Sequence, residues 1–240
     1  MRPRVDPAQF AWPPSVSADA NWVDLLNGLV ETERLGADDV LFGQRRQLKR
    51  LLRWAAQASA HYRRGGWIDD VLATLDRRPR DFWEIWHGIP ILSKSDLRRH
   101  GDRIHAKRLP EAQLPVESTL TSGSTGITVE VRTTTVTRMM WHALTMREHL
   151  WQRRDMTKRL GVIRYRPPDD RGPAGRDLPS WGPPAANLFT TGPASVIHVG
   201  HSVDRLADWL IRFDPHYLLV YPSVAGPLLA HVFEATPGPL

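Results

Sequence analysis

Glycine and hydroxyl residues are concentrated in one short segment near the middle of the chain. Its members are Thr121, Ser122, Gly123, Ser124, Thr125 and Gly126. Two glycines let the backbone turn tightly and approach a ligand, and four hydroxyls add donors beside exposed N–H groups. A loop of this composition can surround phosphate oxygens. The same composition also fits a plain hairpin turn, in which Gly and Ser are favoured.

The residues on either side of this segment predict β-strands. Residues 116–121 and 128–133 are rich in Thr and Val. Val129, Val131 and Thr133 alternate with polar residues, as the inward face of a half-buried strand does. No lysine follows Gly126, and the next residues predict a strand instead of a helix. The segment is therefore not a Walker phosphate loop, and no helix dipole assists it.

The chain before the hairpin is predicted to be mainly helical as far as residue 115. Residues 1–40 are interpreted as an N-terminal extension with a short amphipathic piece around Trp22. Apolar residues at helical spacing predict a helix over 44–64, and another is expected over 80–86. Ser93 and Asp96 have the spacing of a capping box, which predicts a helix from there to His100.

The chain after the hairpin alternates between helical and strand patterns. We predict a helix over 136–153, a strand over 160–165, a mobile loop over 166–184 and a strand over 195–199. A helix over 203–213, a strand over 217–221 and a helix from residue 223 follow. A strand, a helix and a strand in succession imply parallel pairing. The predicted class is α/β.

Composition excludes several classes of protein. The chain has no cysteine, so disulfide scaffolds, thiolate metal sites and cysteine nucleophiles are impossible. A net charge of +6 favours anionic partners, but the arginine pairs, such as Arg98 and Arg99, are interpreted as solvated helix faces. No signal-peptide core is present, and the uncharged stretch 215–233 divides into a strand and a helix. We expect a cytoplasmic protein that binds neither membrane nor nucleic acid.

The other residues with chemical potential are weaker candidates for a site. His198 and His201 straddle a predicted strand end and have no third ligand near them in sequence, which favours a structural role over a metal site. Asp169 and Asp170 are interpreted as solvated loop charges. The ten tryptophans are scattered, so packing is favoured over base stacking. No metal site is predicted.

Three segments resemble one enzyme family. Residues 120–131, LTSGSTGITVEV, resemble the phosphate loop of the adenylate-forming enzymes, which include acyl-coenzyme A synthetases and luciferases. Residues 89–98 resemble a segment found upstream of that loop in the phenylacetate-coenzyme A ligase and capsule-biosynthesis branch. Residues 213–223 are similar to a later stretch of the same branch. The matches occur in the family's order, so the chain is identified as resembling the N-terminal portion of such an enzyme.

The resemblance implies a two-step reaction. A carboxylic acid attacks the α-phosphate of Mg-ATP to give acyl-AMP and pyrophosphate, and a thiol, commonly coenzyme A, then takes the acyl group. Residues 121–126 would hold the β- and γ-phosphates and stabilise the departing pyrophosphate. Many members of the family have Pro and Lys just after the loop, where this chain has Thr128 and Val129, and His216 replaces the usual Asp. The missing lysine weakens the electrostatics of the loop.

The resemblance also implies that the large domain is incomplete. The adenine and magnesium segment, the ribose-binding Asp and the C-terminal domain with its catalytic Lys are not found by residue 240. The implied organisation is an extension over 1–40, a mainly helical part over 41–115, and an α/β part with the phosphate loop over 116–240. The alternative is a catalytically incompetent fragment or split subunit that binds nucleotide or a partner, either as a homodimer or with a complementary C-terminal chain.

Overall fold

The structure, a computed structural model, describes residues 22–64, 66–120, 129–167 and 170–235. It combines helices with small sheets, which confirms the α/β class at that coarse level. The chain divides into two compact units, Met1–Arg147 and Glu148–Leu240. Each unit has its own buried cluster of apolar side chains.

The first unit begins with six helices. They are α1 (Trp22–Thr32), α2 (Ala37–Ala58), α3 (Ala60–Arg63), α4 (Trp67–Arg77), α5 (Phe82–His87) and α6 (Lys94–Ile104). Short 3-10 turns cover Pro79–Asp81 and Glu111–Gln113. Leu52, Ile68, Leu72, Leu75 and Phe82 form the buried cluster that joins α2, α4 and α5.

The helix predicted over 44–64 differs from the observed one at both ends. It begins earlier, at Ala37, and it stops at Ala58 because Ser59 has an extended backbone. The Ser59 hydroxyl donates a hydrogen bond to the Arg103 carbonyl at 2.8 Å. The Lys107 N–H donates to the Ala58 carbonyl at 3.1 Å. Contacts with the last turn of α6 and with the chain that follows it therefore interrupt a helix that local periodicity alone would continue.

The capping box predicted at Ser93 and Asp96 is confirmed. The Asp96 N–H donates to the Ser93 hydroxyl at 3.1 Å, and the Ser93 N–H donates to Asp96 Oδ2 at 3.0 Å. The two bonds satisfy donors that every helix start leaves open. Helix α6 extends beyond the predicted end at His100, because helical bonding continues until the His105 N–H meets the Gly101 carbonyl.

The predicted hairpin is present, with a different burial pattern. Strand β1 (Glu117–Leu120) pairs antiparallel with β2 (Glu130–Thr133), and α7 (Thr135–Trp151) follows. Val129 is buried, but Val131 is 44% exposed, so the predicted inward face is wrong at Val131. The described residues leave most of β2 uncovered, so Glu130, Val131 and Arg132 are exposed and only Thr133 is partly buried.

The second unit contains a four-stranded sheet. Its strands are β3 (Leu160–Arg164), β4 (Arg176–Leu178), β5 (Ala194–His198) and β6 (Tyr217–Leu219), in the order β4-β5-β3-β6. Strands β5 and β6 both run parallel to β3, while β4 is antiparallel to β5. Helix α8 (Val203–Phe213) connects β5 to β6, and α9 (Pro222–Ala235) follows β6. The predicted β-α-β arrangement is confirmed.

The region 166–184 was expected to be a loop, but it contains strand β4. Asp177 of β4 accepts a hydrogen bond from the Ser195 hydroxyl at 2.6 Å. Ser195 is fully buried and in turn accepts from the Trp209 indole N–H at 3.0 Å. This chain of bonds ties β4, β5 and α8 together, so β4 depends on tertiary contacts instead of local propensity.

Apolar side chains of the sheet and of helices α8 and α9 form the core of the second unit. They are Ile163, Ile197, Leu206, Ala207, Trp209, Leu228 and Val232. The uncharged stretch 215–233 divides into β6 and α9, as predicted. Among the described residues, none of the helices combines the length and the apolar character that a membrane crossing requires.

Candidate functional site

The β1–β2 hairpin determines where the predicted phosphate loop is attached. The last strand pair is Leu120 with Glu130, so residues 121–129 connect the two strands. The six predicted site residues, Thr121, Ser122, Gly123, Ser124, Thr125 and Gly126, lie in this connection and outside the described residues. What the structure describes is the pair of strands from which the connection leaves and to which it returns.

A polar cluster lies on one face of the hairpin and reaches the strand pair next to the connection. Glu130 accepts hydrogen bonds at Oε1 from the Ser118 hydroxyl at 2.6 Å and from Arg132 Nε at 3.2 Å. The Ser118 bond, followed by the Arg132 bond, holds the pKa of Glu130 below its usual value. Glu130 is therefore an ionised carboxylate whose charge Arg132 compensates.

Two further contacts attach the hairpin to α7. Arg138 of α7 forms an ion pair with Glu117 of β1. The Thr135 hydroxyl donates to the Leu114 carbonyl at 2.6 Å, just before β1. Strand β1 and the chain just before it are thus anchored to the long helix that follows the hairpin.

A cavity rich in basic groups lies between α6 and the start of β2. We call it the α6 cavity; its volume is about 570 Å³, and it is lined by residues 97–103, His105, Val129 and Glu130. Arg98, Arg99 and Arg103 contribute positive charge, against the acids Asp102 and Glu130. Because Arg132 already compensates Glu130, the cavity favours anions.

The α6 cavity brings two of the three resembling segments together. Residues 89–98 lead through the capping box into α6, and their last members, Leu97 and Arg98, line the cavity. Residues 120–131 include its opposite wall, Val129 and Glu130. The arginine pair Arg98 and Arg99 is exposed, as the sequence indicated, and it lines the same cavity as Val129, three residues after the predicted phosphate loop.

The third resembling segment, residues 213–223, lies in the second unit and has a structural role there. It leads from the end of α8 through β6 to the start of α9. Asp214 forms an ion pair with Arg159, and the Arg159 Nε donates to the Asp214 carbonyl at 2.7 Å. The His216 N–H donates to the Arg159 carbonyl at 3.0 Å. These contacts fix the turn before β6.

His198 and His201 follow the carboxyl end of β5, with ring centroids 6.0 Å apart. The His198 Nδ1 accepts a hydrogen bond from the Arg166 N–H at 2.9 Å, so the neutral ring carries its proton on Nε2. Among the described residues no group of three or more His, Asp or Glu side chains could hold a metal. The hydrogen bond from Arg166 supports, for His198, the structural role favoured from the sequence.

The two acids of the predicted loop have different outcomes. Asp169 lies outside the described residues. Asp170 is not a solvated charge, because its side chain is only 18% exposed and pairs with Arg166 and Arg176. Burial against two arginines makes a structural ion pair there.

Two histidines of the second unit predict how its stability depends on pH. Burial, followed by the nearby Arg154, lowers the pKa of His149. Desolvation, followed by Arg171 and His201, lowers the pKa of His198. A His whose pKa is lowered in the fold binds fewer protons folded than unfolded. We therefore expect the free energy of unfolding to fall as the pH falls from about 7 to 5, since the ordinary pKa is about 6.5.

Urea unfolding of the full chain at pH 5.5 and pH 8 measures this dependence. The double variant His149→Gln, His198→Gln should flatten it, because glutamine can still accept the hydrogen bonds from Arg154 and Arg166 but does not titrate. A double variant that keeps the full slope would contradict the assignment to these two rings.

Comparison with protein-family models, with curated proteins and with solved structures found no match. The function proposed below therefore rests on the resemblance of the sequence segments and on the geometry of the chain itself.

Proposed function

We propose that this chain is the N-terminal portion of an ATP-dependent, AMP-forming acid–thiol ligase that resembles phenylacetate-coenzyme A ligase. Residues 121–126 would hold the ATP phosphates, a carboxylic acid would be activated, and coenzyme A is the acceptor that the resemblance implies. The observation that carries the proposal is the attachment of this glycine- and hydroxyl-rich segment to two paired strands, the second of which begins at a basic cavity.

The length of the connection argues against a plain hairpin turn. Residues 121–129 are nine in number, counted between the paired residues Leu120 and Glu130. Tight hairpin connections use about two to five residues. A longer connection that is rich in Gly and hydroxyl residues has more backbone N–H groups than a tight turn, and N–H groups of this kind suit an anion.

The α6 cavity supports the electrostatic part of the proposal. The chain has no lysine directly after the loop, so cationic groups must come from elsewhere if triphosphate is to bind. Arg98 and Arg103 line the cavity that Val129 and Glu130 close on the other side. Neither guanidinium is joined to a carboxylate by an ion pair among the described residues, so both remain available to phosphate.

The roles that follow are positional and electrostatic. When bound, ATP supplies the α-phosphate that the acid's carboxylate attacks. The N–H and hydroxyl groups of 121–126 would hold the β- and γ-phosphates, and Arg98 and Arg103 would compensate their charge. Ser118 and Arg132 keep Glu130 from repelling the phosphates, because they bind its carboxylate on the hairpin face. Magnesium is assigned no ligand in this chain.

Exchange of labelled pyrophosphate into ATP tests the proposal. With the purified chain and a broad panel of carboxylic acids, we expect exchange that depends on the acid. The double variant Arg98→Gln, Arg103→Gln should lower the exchange rate by about 10²-fold or more, because charge stabilisation of the leaving group is lost. Arg77→Gln, on an exposed position of α4, is the matched control and should leave the rate unchanged.

Absence of exchange with every acid, combined with retained ATP binding, would favour the second candidate, a nucleotide- or partner-binding subunit. One observation supports that candidate. Strand β6 lies at the edge of its sheet and pairs only with β3 among the described residues. Leu219 and Tyr221, at the end of this strand, are about two-fifths exposed. An open edge of this kind can accept a strand from a complementary chain.

A further inference from the structure

A second cavity of the first unit is lined by α2, by the chain between α6 and β1, by the hairpin and by α7. Its volume is about 770 Å³. Trp54, Leu109 and Val116 form part of its apolar lining, and α7 contributes Val136 and Met140. We call it the α7 groove. An apolar lining with an aromatic side chain is typical of grooves that bind a peptide segment.

Exposed apolar side chains continue the α7 groove on the surface of the first unit. Leu114 and Val116, which line the groove, are both exposed. Trp141 is 66% exposed, and it lies one helical turn after Thr137, which also lines the groove. Leu144 is exposed on the same face of α7. Contiguous exposed apolar side chains of this kind mark interaction sites.

The N-terminal segment of the chain joins the described structure beside this exposed face of α7. Trp22 is the first described residue, and its ring lies 5.8 Å from the ring of His142, between centroids. His142 is the neighbour of Trp141 in α7. The part of α7 over 136–144 is about 12 Å long, whereas ten residues of extended chain span up to about 33 Å. The residues before Trp22 are therefore long enough to reach the groove.

The composition of residues 5–16 fits the α7 groove. Phe10 and Trp12 are large aromatic side chains, and three prolines in the segment favour an extended backbone. Pro-rich extended segments bind in apolar grooves that contain aromatic side chains. Asp6 is the one charged residue over 5–16, whereas Lys107 lines the groove and none of the described lining residues is acidic. The charges of the segment and of the groove are therefore complementary.

We infer that residues 5–16 bind in the α7 groove of the same chain. Phe10 and Trp12 pack against the apolar lining, and the Asp6 carboxylate meets the Lys107 ammonium group. The covalent connection favours this occupant over a separate partner, because a segment on a short linker has a millimolar effective concentration at its site. The inference goes beyond the proposed function, and it requires neither nucleotide nor residues 121–126.

Alkylation of single cysteines in the full chain tests whether the groove is covered. The chain contains no cysteine, so an introduced one is the only thiol. Adding Phe10→Ser and Trp12→Ser to Val116→Cys should raise the rate of alkylation by iodoacetamide about tenfold, because the segment loses its aromatic anchors. Phe42→Cys, at an exposed position of α2, is the control, and the two serine changes should leave its rate unchanged.

A cross-link identifies the segment that covers the groove. In a glutathione buffer, the pair Ala11→Cys, Val116→Cys should form a disulfide about tenfold faster than the pair Ala11→Cys, Phe42→Cys, because the bound segment holds the first two thiols close together. Mass spectrometry after digestion with trypsin locates the disulfide. Size-exclusion chromatography distinguishes a disulfide within one chain, which we expect, from a disulfide between two chains.

Three results would overturn the inference. They are an alkylation rate of Val116→Cys that Phe10→Ser and Trp12→Ser leave unchanged, equal disulfide rates for the two cysteine pairs, and a disulfide that forms only between chains. The last result would assign the groove to the segment of a second copy. Loss of ATP binding, with the expected alkylation and disulfide rates intact, would count against the proposed function alone.

Discussion

The variant Gly123→Val is expected to show no rise in melting temperature when ATP is added, and to lose about 10²- to 10³-fold in pyrophosphate exchange. A ligand that binds only the folded chain raises its stability, so loss of the phosphate site removes that rise. Valine at this position restricts the backbone and adds two methyl groups where the proposal requires close approach to phosphate. Differential scanning fluorimetry with and without ATP measures the first effect.

Gly43→Val is the matched control for this experiment. Gly43 lies within α2, and a Cβ added there meets nothing within 4 Å. Valine at that position should preserve both the ATP-induced rise and the exchange rate. An unchanged rise in Gly123→Val would show that ATP binds away from residues 121–126, and the proposed function would lose its basis.

Replacing Gly192 by alanine should destabilise the second unit by about 3 kcal/mol or more. A Cβ at this position would lie 2.2 Å from the Thr157 carbonyl oxygen and 2.5 Å from that of Lys158. Both atoms belong to the backbone, so neither can rotate aside. The Gly192 N–H also donates to the Met156 carbonyl at 2.9 Å, which holds the two segments together.

Scanning calorimetry of the full chain measures this loss as a lower melting temperature, by roughly 6–12 °C for 3 kcal/mol. Gly226→Ala is the control in the same unit, because Gly226 lies in α9 and an added Cβ meets nothing within 4 Å. That change should stabilise the second unit slightly, since alanine is a better helix former than glycine. If Gly192→Ala had the same melting temperature as the parent chain, the close approach of Gly192 to the carbonyls of residues 157 and 158 would be refuted.

Elements with strong local signals could be predicted from the sequence. Helix α8 has the predicted bounds, because Ser202 caps its start, its apolar face is regular and Asp214 takes a left-handed backbone at its end. The capping box at Ser93 was found from the spacing of two residues. Such signals act within one turn of helix, so they need no knowledge of the rest of the fold.

Elements that depend on distant partners were missed or misplaced. Strand β4 is three residues long and exists through its pairing with β5, so its Pro- and Gly-rich surroundings predicted only a loop. The break at Ser59 depends on a carbonyl 44 residues further along the chain. Exposure of Val131 could not be deduced, because strand alternation tells which residues share a face but not whether anything covers that face.

The candidate site could likewise be predicted from the sequence only in part. Composition, together with the resemblance, indicated residues 121–126, because glycines and hydroxyls are informative wherever they lie. The arginines of α6 were assigned to a solvated face, and Arg98 and Arg99 are indeed exposed, but only the fold shows that they share a cavity with Val129.

The position of β3 in the middle of its sheet affects how the second unit forms during synthesis. Leu160 of β3 pairs with Ala194 and with Tyr217, which lie 34 and 57 residues later in the chain. The central strand β3 is therefore synthesised before both of the strands that pair with it. Pairing over such separations is slow, and unpaired apolar strands are prone to aggregate. If synthesis pauses before residue 217, β3 has no β6 to pair with, and its unpaired edge is a substrate for chaperones.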